Sequence, residues 1–456
     1  MEQNVSKGAA LFIATLSAFL APFMISAVNI AIPTIGSEFQ ASAVVLSWFA
    51  TAYLLTATMF LVPFGRIADI RGRKRVFVYG MFIYTSSSLV AALSTGGIML
   101  IGARAIEGAG AAMIMGTGVA ILTSVFPPNE RGRVLGINVA AVYLGLSLGP
   151  FIGGFVTGSL GWRYVFLLNV PLGIAALALT FWKLKGEWAG ARGERFDLSG
   201  SVVYSLSITA LIYGLSRLPA WPGAVLVGLG LMGGVAFIWW ESRIEHPVLE
   251  VGLFRHNTVF AFSNLAALIN YSATFAVSFL LSLYLQYAKG YSPELAGLVL
   301  VSQPAVMTIL SPLAGRLSDR VEPIYVASTG MIFTTLGLFL FIFLGGGTSL
   351  RMIIPNLMIL GLGFALFSSP NTNAIMGSVE KRFYGVAAGT LGTMRTVGQI
   401  VSMGIAMLIF AIYIGGTQIV PETYPNFLSS LHTAFIVFSV LCFLGIFASA
   451  ARGKVR

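Results

Sequence analysis

The 456-residue sequence predicts an all-α polytopic membrane protein of fourteen transmembrane helices, and three observations carry that expectation. The chain is 57% hydrophobic and only 9% charged, whereas a soluble protein carries charge on about a quarter of its residues. Apolar stretches of about 20 residues, enough to cross a bilayer as helices, follow one another from end to end with short breaks. The basic residues between those stretches gather on one side.

The stretches place spans near 8–33, 44–66, 76–94, 98–126, 134–158, 164–183, 198–216, 222–240, 258–286, 293–315, 323–344, 352–377, 385–414 and 427–451. The first is longer than the apolar core of a signal peptide and lacks a small-residue cleavage site, so it reads as a retained span. An even number of spans puts both termini on one side. That side collects 21 of the 27 basic residues, including Arg71, Arg73, Lys74 and Arg75. The other side has Arg163, Arg217, Lys289 and Arg351, while Arg104 and Arg395 fall inside apolar stretches. The positive-inside rule makes the basic side cytoplasmic. Because the basic charges follow the membrane in this way, the net charge of +11 does not point to nucleic acid.

An internal repeat organises the spans. Gly65-Arg66-Ile67-Ala68-Asp69 after span 2 is echoed by Gly315-Arg316-Leu317-Ser318-Asp319 after span 10. Glu130-Arg131 before span 5 is paralleled by Glu380-Lys381 before span 13. Both echoes fall eight spans apart, so two six-helix halves are separated by two extra helices. The expected domains are a bundle over 1–185, a two-helix insert with its flanking loops over 186–257, and a second bundle over 258–456. Spans 7 and 8 lack charge and suit a peripheral, lipid-facing position.

Other chemistry finds no support. Cys442 is the single cysteine, and His246, His256 and His432 are scattered, so neither a disulfide nor a metal site is expected. No Gly-x-x-x-x-Gly-Lys-Ser/Thr loop implies ATP drive. Paired carboxylates or histidine clusters that a membrane-embedded enzyme needs are missing, as is a pore loop. No cofactor is implied.

Gly65 to Arg75 resembles the cytoplasmic loop signature of the major facilitator superfamily. The resemblance implies that this loop locks the two halves together on the inner side, with Asp69 as its acid, Arg73 as its charge partner and Asp319 as the echo in the second half. Arg104-Ala105-Ile106-Glu107-Gly108 in span 4 is similar to the superfamily motif whose buried arginine is linked to proton coupling. Arg104 and Glu107 are three apart and share a helix face. An ionisable residue within a span is a functional hypothesis by default, and a static ion pair is the competing reading. Gly145 to Gly154 in span 5, with Gly149 and Pro150 at its centre, looks like the antiporter motif; physically it is a bent helix with two overlapping small-xxx-small patterns. Gly161 to Gly173, Val28 to Pro33 and Gly385 to Arg395 narrow the resemblance to the fourteen-span drug:proton antiporters.

That resemblance implies a proton-coupled antiporter of the cytoplasmic membrane of a prokaryote, working as a monomer among membrane lipid. It would export small lipophilic compounds, cationic ones included, by alternating access. One position departs from the pattern: Met24 stands where the family carries a span-1 aspartate, which leaves Glu107 as the coupling candidate and argues against selectivity for dications. The expected cavity lies between the halves at mid-membrane. Its candidate residues are Asn29, Tyr53, Asn138 and Tyr143 from the first half, and Asn270, Tyr271, Gln303, Asn371 and Arg395 from the second, with Asn264, Asn373 and Gln399 beside them. Each amide could equally be a helix-to-helix hydrogen bond. A facilitator-fold carrier for one metabolite or lipid is the alternative.

Overall fold

The computed structural model describes residues 6–244, 247–248, 251–380 and 384–453. The first half is built from α1 (Lys7–Phe39), α2 (Ala43–Arg71), α3 (Arg73–Ala92), α4 (Gly97–Val125), α5 (Pro128–Ser159) and α6 (Arg163–Lys183). The insert is α7 (Leu198–Arg217) and α8 (Trp221–Glu241), and the short α9 (Gly252–His256) leads into the second half. There the ninth span, Thr258–Ala288, comprises α10 (Thr258–Thr274), α11 (Ala276–Leu283) and a π-helical turn over Tyr284–Ala288. The tenth comprises α12 (Pro293–Leu300) and α13 (Ser302–Arg320), followed by α14 (Pro323–Phe341), α15 (Leu350–Gly377), α16 (Tyr384–Tyr413) and α17 (Tyr424–Ala451).

Local chemistry sets the helix ends. Ser6 and Ser42 cap α1 and α2, accepting hydrogen bonds from the amides of Ala9 and Val45. Gly72, at φ 119°, lets the chain reverse between α2 and α3 within a single residue. Among the described residues, thirteen segments are long and apolar enough to cross a membrane. The fourteenth crossing is α3, a 20-residue helix about 30 Å long, whose Thr85-Ser86-Ser87-Ser88 run dilutes its hydropathy. Thr85, Ser86 and Ser87 return their hydroxyls to carbonyls four residues back, which satisfies them within the helix.

Helices α1 and α5 form the main contact of the first half, with α2 and α3 packed on α4, while α13 and α14 pack on α15 in the second. The halves meet through α2 and α16, through α5 with α12 and α13, and through α1 with α11. The α1–α5 crossing rests on glycine: a Cβ at Gly145 would lie 2.5 Å from the Phe19 carbonyl, and one at Gly153 would lie 2.7 Å from Ala27 Cα. The insert is only partly peripheral. α8 leaves Met232 and Val235 exposed, but α7 packs against both α2 and α16, and the Tyr204 hydroxyl donates to the Thr58 carbonyl at 3.0 Å.

Candidate functional site: the seam between the halves

The halves are joined firmly toward the face opposite the basic loops. From the second half, Ser282 Oγ donates to the Asn29 carbonyl at 2.8 Å, Gln286 Nε2 to Ile30 at 2.9 Å and the Tyr287 hydroxyl to Pro33 at 3.2 Å. The π turn places Gln286 and Tyr287 there, since a wider turn re-aims the side chains at its end. Gln418 Nε2 donates to the Gln40 carbonyl at 2.9 Å. Beside them α5 and α12 cross closely: a Cβ at Gly297 would collide with the Pro150 carbonyl, and one at Gly154 would lie 2.5 Å from the Pro293 carbonyl. Lower down, Tyr143 OH pairs with Ser368 Oγ at 2.9 Å, Ser147 Oγ with Thr308 Oγ1 at 2.9 Å, and Thr58 Oγ1 donates to the Thr396 carbonyl at 3.3 Å. Each of these joins lies about 13 Å or more along its helix from the basic-face end.

The basic-face loop, by contrast, makes its contacts within the first half. Arg73 Nε donates to Asp69 Oδ1 at 2.8 Å, and its Nη1 donates to Ser124 Oγ at 2.6 Å and to the Ala120 carbonyl at 3.1 Å, both at the end of α4. The connection between α6 and α7 then straps over this loop. Glu187 accepts the amides of Lys74 and Arg75 at 2.8 and 3.2 Å, Arg66 pairs with Glu194, and the Ala191 amide donates to the Asp69 carbonyl. Glu187 and Glu194 escaped the reading of the sequence. Their one visible signal was acidic character in a basic connection. Gly65 faces Gly116 of α4, and Gly149 faces Ser26 and Phe23 of α1. Thus Gly65 and Gly149 make their contacts inside the first half, Asp69 and Arg73 make theirs there and with the strap, and Pro150 makes its contact across the halves. The side chain of Asp319 lies outside the described residues.

Arg104 and Glu107 form a buried ion pair, Nη1 to Oε2 at 2.5 Å. Glu107 is fully buried, about 15 Å along α4 from its first residue. Its second oxygen accepts from Ser88 Oγ of α3 at 2.6 Å, and Ser88 accepts from Asn169 Nδ2 of α6 at 2.9 Å. Arg104 Nε donates to the Phe49 carbonyl at 3.2 Å, and its guanidinium lies 4.4 Å from the centre of the Tyr53 ring. The polar run that makes α3 the least apolar span therefore supplies the carboxylate's second partner. The Tyr53 hydroxyl itself is buried without a hydrogen bond. The pair and its four supporting residues all belong to the first half. Met24 is fully buried in the core, so α1 offers no carboxylate there.

Arg395 differs. It sits on α16 with its Cζ 5.1 Å from the centre of the Tyr271 ring, and Tyr143 of the other half lies within its electrostatic reach. Its Nε is buried with no hydrogen-bond partner, and among the described residues no carboxylate pairs with it. Tyr271 packs edge-on to Phe364 at 5.3 Å. The structure thus brings Tyr143, Tyr271 and Arg395 to one place. It spends other candidates elsewhere: Asn138 donates to the Ala14 carbonyl, and Asn371 donates to the Ser263 carbonyl while accepting from Arg452. Asn264 and Asn373 likewise bond within the second half. Asn270 is buried with both amide atoms unpartnered. Asn29 contributes its carbonyl to the joined face, and the carbonyl of Gln303 backs onto Gly361. Gln399 is half-buried.

A sequence model described as the Major Facilitator Superfamily matches residues 14–401 and 263–453. The chain belongs to the major facilitator superfamily. Within this superfamily it is 32% identical to the cephamycin export protein CmcT of Amycolatopsis lactamdurans, over 88% of this chain and 84% of that one. It is 29% identical to the riboflavin transporter RibZ of Clostridioides difficile, over 96% and 95% of the two chains. It is also 29% identical to the multidrug resistance protein Stp of Mycobacterium tuberculosis, over 91% and 76%. A peptide transporter POT solved with sulfate shares the fold at TM-score 0.70 and 15% identity, covering 97% of this chain and 95% of that one. These matches identify a superfamily transporter, with drug exporters among its relatives, and not an enzyme.

Proposed function

We propose that the protein is a proton-coupled antiporter of the cytoplasmic membrane that exports small lipophilic compounds by alternating access. The observation that carries this reading is the Arg104–Glu107 pair, which sets a fully buried carboxylate at mid-depth of α4. On this reading, a movement that separates the two is the step coupled to proton exchange. The basic face is cytoplasmic, with both termini on that side. The arrangement described is then the inward-facing one: the outer ends are tied by Ser282, Gln286 and Tyr287, while the inner loop with Asp69 is held within its own half. Reversal would break the outer ties and let that loop meet the second half. The two halves, over 1–185 and 258–456, rock as units, and a single chain suffices.

A carrier devoted to one metabolite is the second reading, favoured by the nearly full-length likeness to a riboflavin transporter. Purified protein in liposomes under an imposed pH gradient separates them. Dissipation of the gradient on adding compounds of several scaffolds, absent in Glu107→Gln, is the expected result. Transport of several scaffolds without proton flux overturns coupling. Transport of one scaffold alone supports the carrier.

A further inference from the structure

We infer that the central site takes lipophilic anions, with a carboxylate on Arg395 and an aromatic body against Tyr271 and Tyr143. The inference deepens the export reading and rests on it. Arg395 stands about 17 Å along α16 from its first residue, one position from Thr396, whose carbonyl accepts the bond from Thr58 of the first half. The guanidinium therefore lies at the level where the halves meet. It stacks on one tyrosine of its own half and faces another from across the seam. Its Nε is buried without a hydrogen-bond partner, and Ser311 lies beside Tyr143. A cation in a low-dielectric site without a counter-charge calls for one, and a guanidinium meets a carboxylate with two parallel hydrogen bonds.

Among the described residues no such carboxylate is present. Met24 of α1 is buried and uncharged, and Glu107 is committed to Arg104 and Ser88 within the first half. A lipophilic cation placed here would meet Arg395, and among the described residues no carboxylate pairs with that arginine to offset it. An aromatic carboxylate would complete the site, its ring finding the edge and face of Tyr271 and Phe364.

Three probes of one size and shape decide the matter: 1-naphthoate, 1-naphthamide and 1-naphthylmethylamine, binding measured by calorimetry on the purified full-length protein. The expected order is naphthoate first and the amine last. Arg395→Gln should weaken naphthoate about ten- to hundredfold and the amide by less than about twofold, and Arg395→Lys should restore part of the loss. Preference for the amine, binding of none of the three, or an equal loss for all three in Arg395→Gln overturns the proposal. So does displacement of naphthoate by chloride at about 150 mM, which would assign the site to an inorganic anion. Should Arg395→Gln not fold, the order of the three probes on the wild type decides alone. Because binding is read without a gradient, failure of proton coupling in liposomes leaves this result standing, and the reverse holds too.

Discussion

Arg104 and Arg395 are both arginines held within the membrane, yet their surroundings assign them opposite tasks. Arg104 is closed off: a carboxylate one helical turn away, a backbone carbonyl and an aromatic face use its donors and its charge within one half. Arg395 stands at the seam of the two halves with a tyrosine ring and an idle Nε. A buried charge answered by its own helix is part of the scaffold and, if it moves, a place for a proton. One that meets no carboxylate among the described residues is, on the reading proposed above, a place for a ligand. The comparison also separates what each substitution should do.

The largest effect belongs to the closed pair. Arg104→Ala leaves Glu107 buried and unpaired, and thermal unfolding in detergent should show a loss of about 3–5 kcal/mol. Arg104→Met combined with Glu107→Leu should recover most of that stability without recovering proton flux. Recovery of both would make the pair scaffold alone. Ser88→Ala removes the second partner of the same carboxylate and should cost roughly 1.5–3 kcal/mol in the same unfolding measurement. A smaller cost, about 1–3 kcal/mol, is expected for Gly149→Ala, whose Cβ would lie 2.8 Å from the Phe23 carbonyl and against Ser26 Oγ. Arg395→Gln leaves no carboxylate unpaired, so its stability should change by no more than about 1 kcal/mol while substrate binding falls. A large loss there would erase the contrast between the two arginines. Tyr287→Phe, smallest of all, removes one tie of the joined face. It should shift the balance between the two facing states by roughly twofold to tenfold, read as accessibility of a cysteine introduced near Gln40.

Charge movement sharpens the comparison further. Exchange of one anion for one proton carries two charges across the membrane, and each is worth about 2.3 kcal/mol per 100 mV. Export of an anion should therefore accelerate with inside-negative potential more steeply than export of its amide. Equal dependence would remove the charge from the substrate.

Much of this was legible before any coordinates. The span count followed from apolar length and loop charge, and even α3 was placed by its flanking breaks although its serines make it the weakest apolar signal. The Arg104–Glu107 pair was legible because three residues on one helix fix a shared face. Its partners on α3 and α6 were not, because no periodicity within a span tells which neighbour it will meet. The amides show the same limit. Asn138, Asn371 and Asn270 look alike in sequence, yet two are spent on carbonyls of their own half and the third is left without a bond. The ties at Ser282, Gln286 and Tyr287 depend on a π turn, which hydrophobic pattern does not reveal. The strap formed by Glu187 and Glu194 depends on where a long connection folds back.

The insert has a consequence for how a fat-soluble molecule reaches the seam sideways. The two halves leave two flanks, one between α2 and α16 and one between α5 and α13. The first is roofed: α7 leans on both of its helices, Tyr204 holds the Thr58 carbonyl, and the hydroxyl of that same threonine holds Thr396. A solute dissolved in the bilayer meets a wall there. On the second flank α5 meets α12 and α13 directly, so any slide of α2 along α16 must carry a roof that the other side does not share.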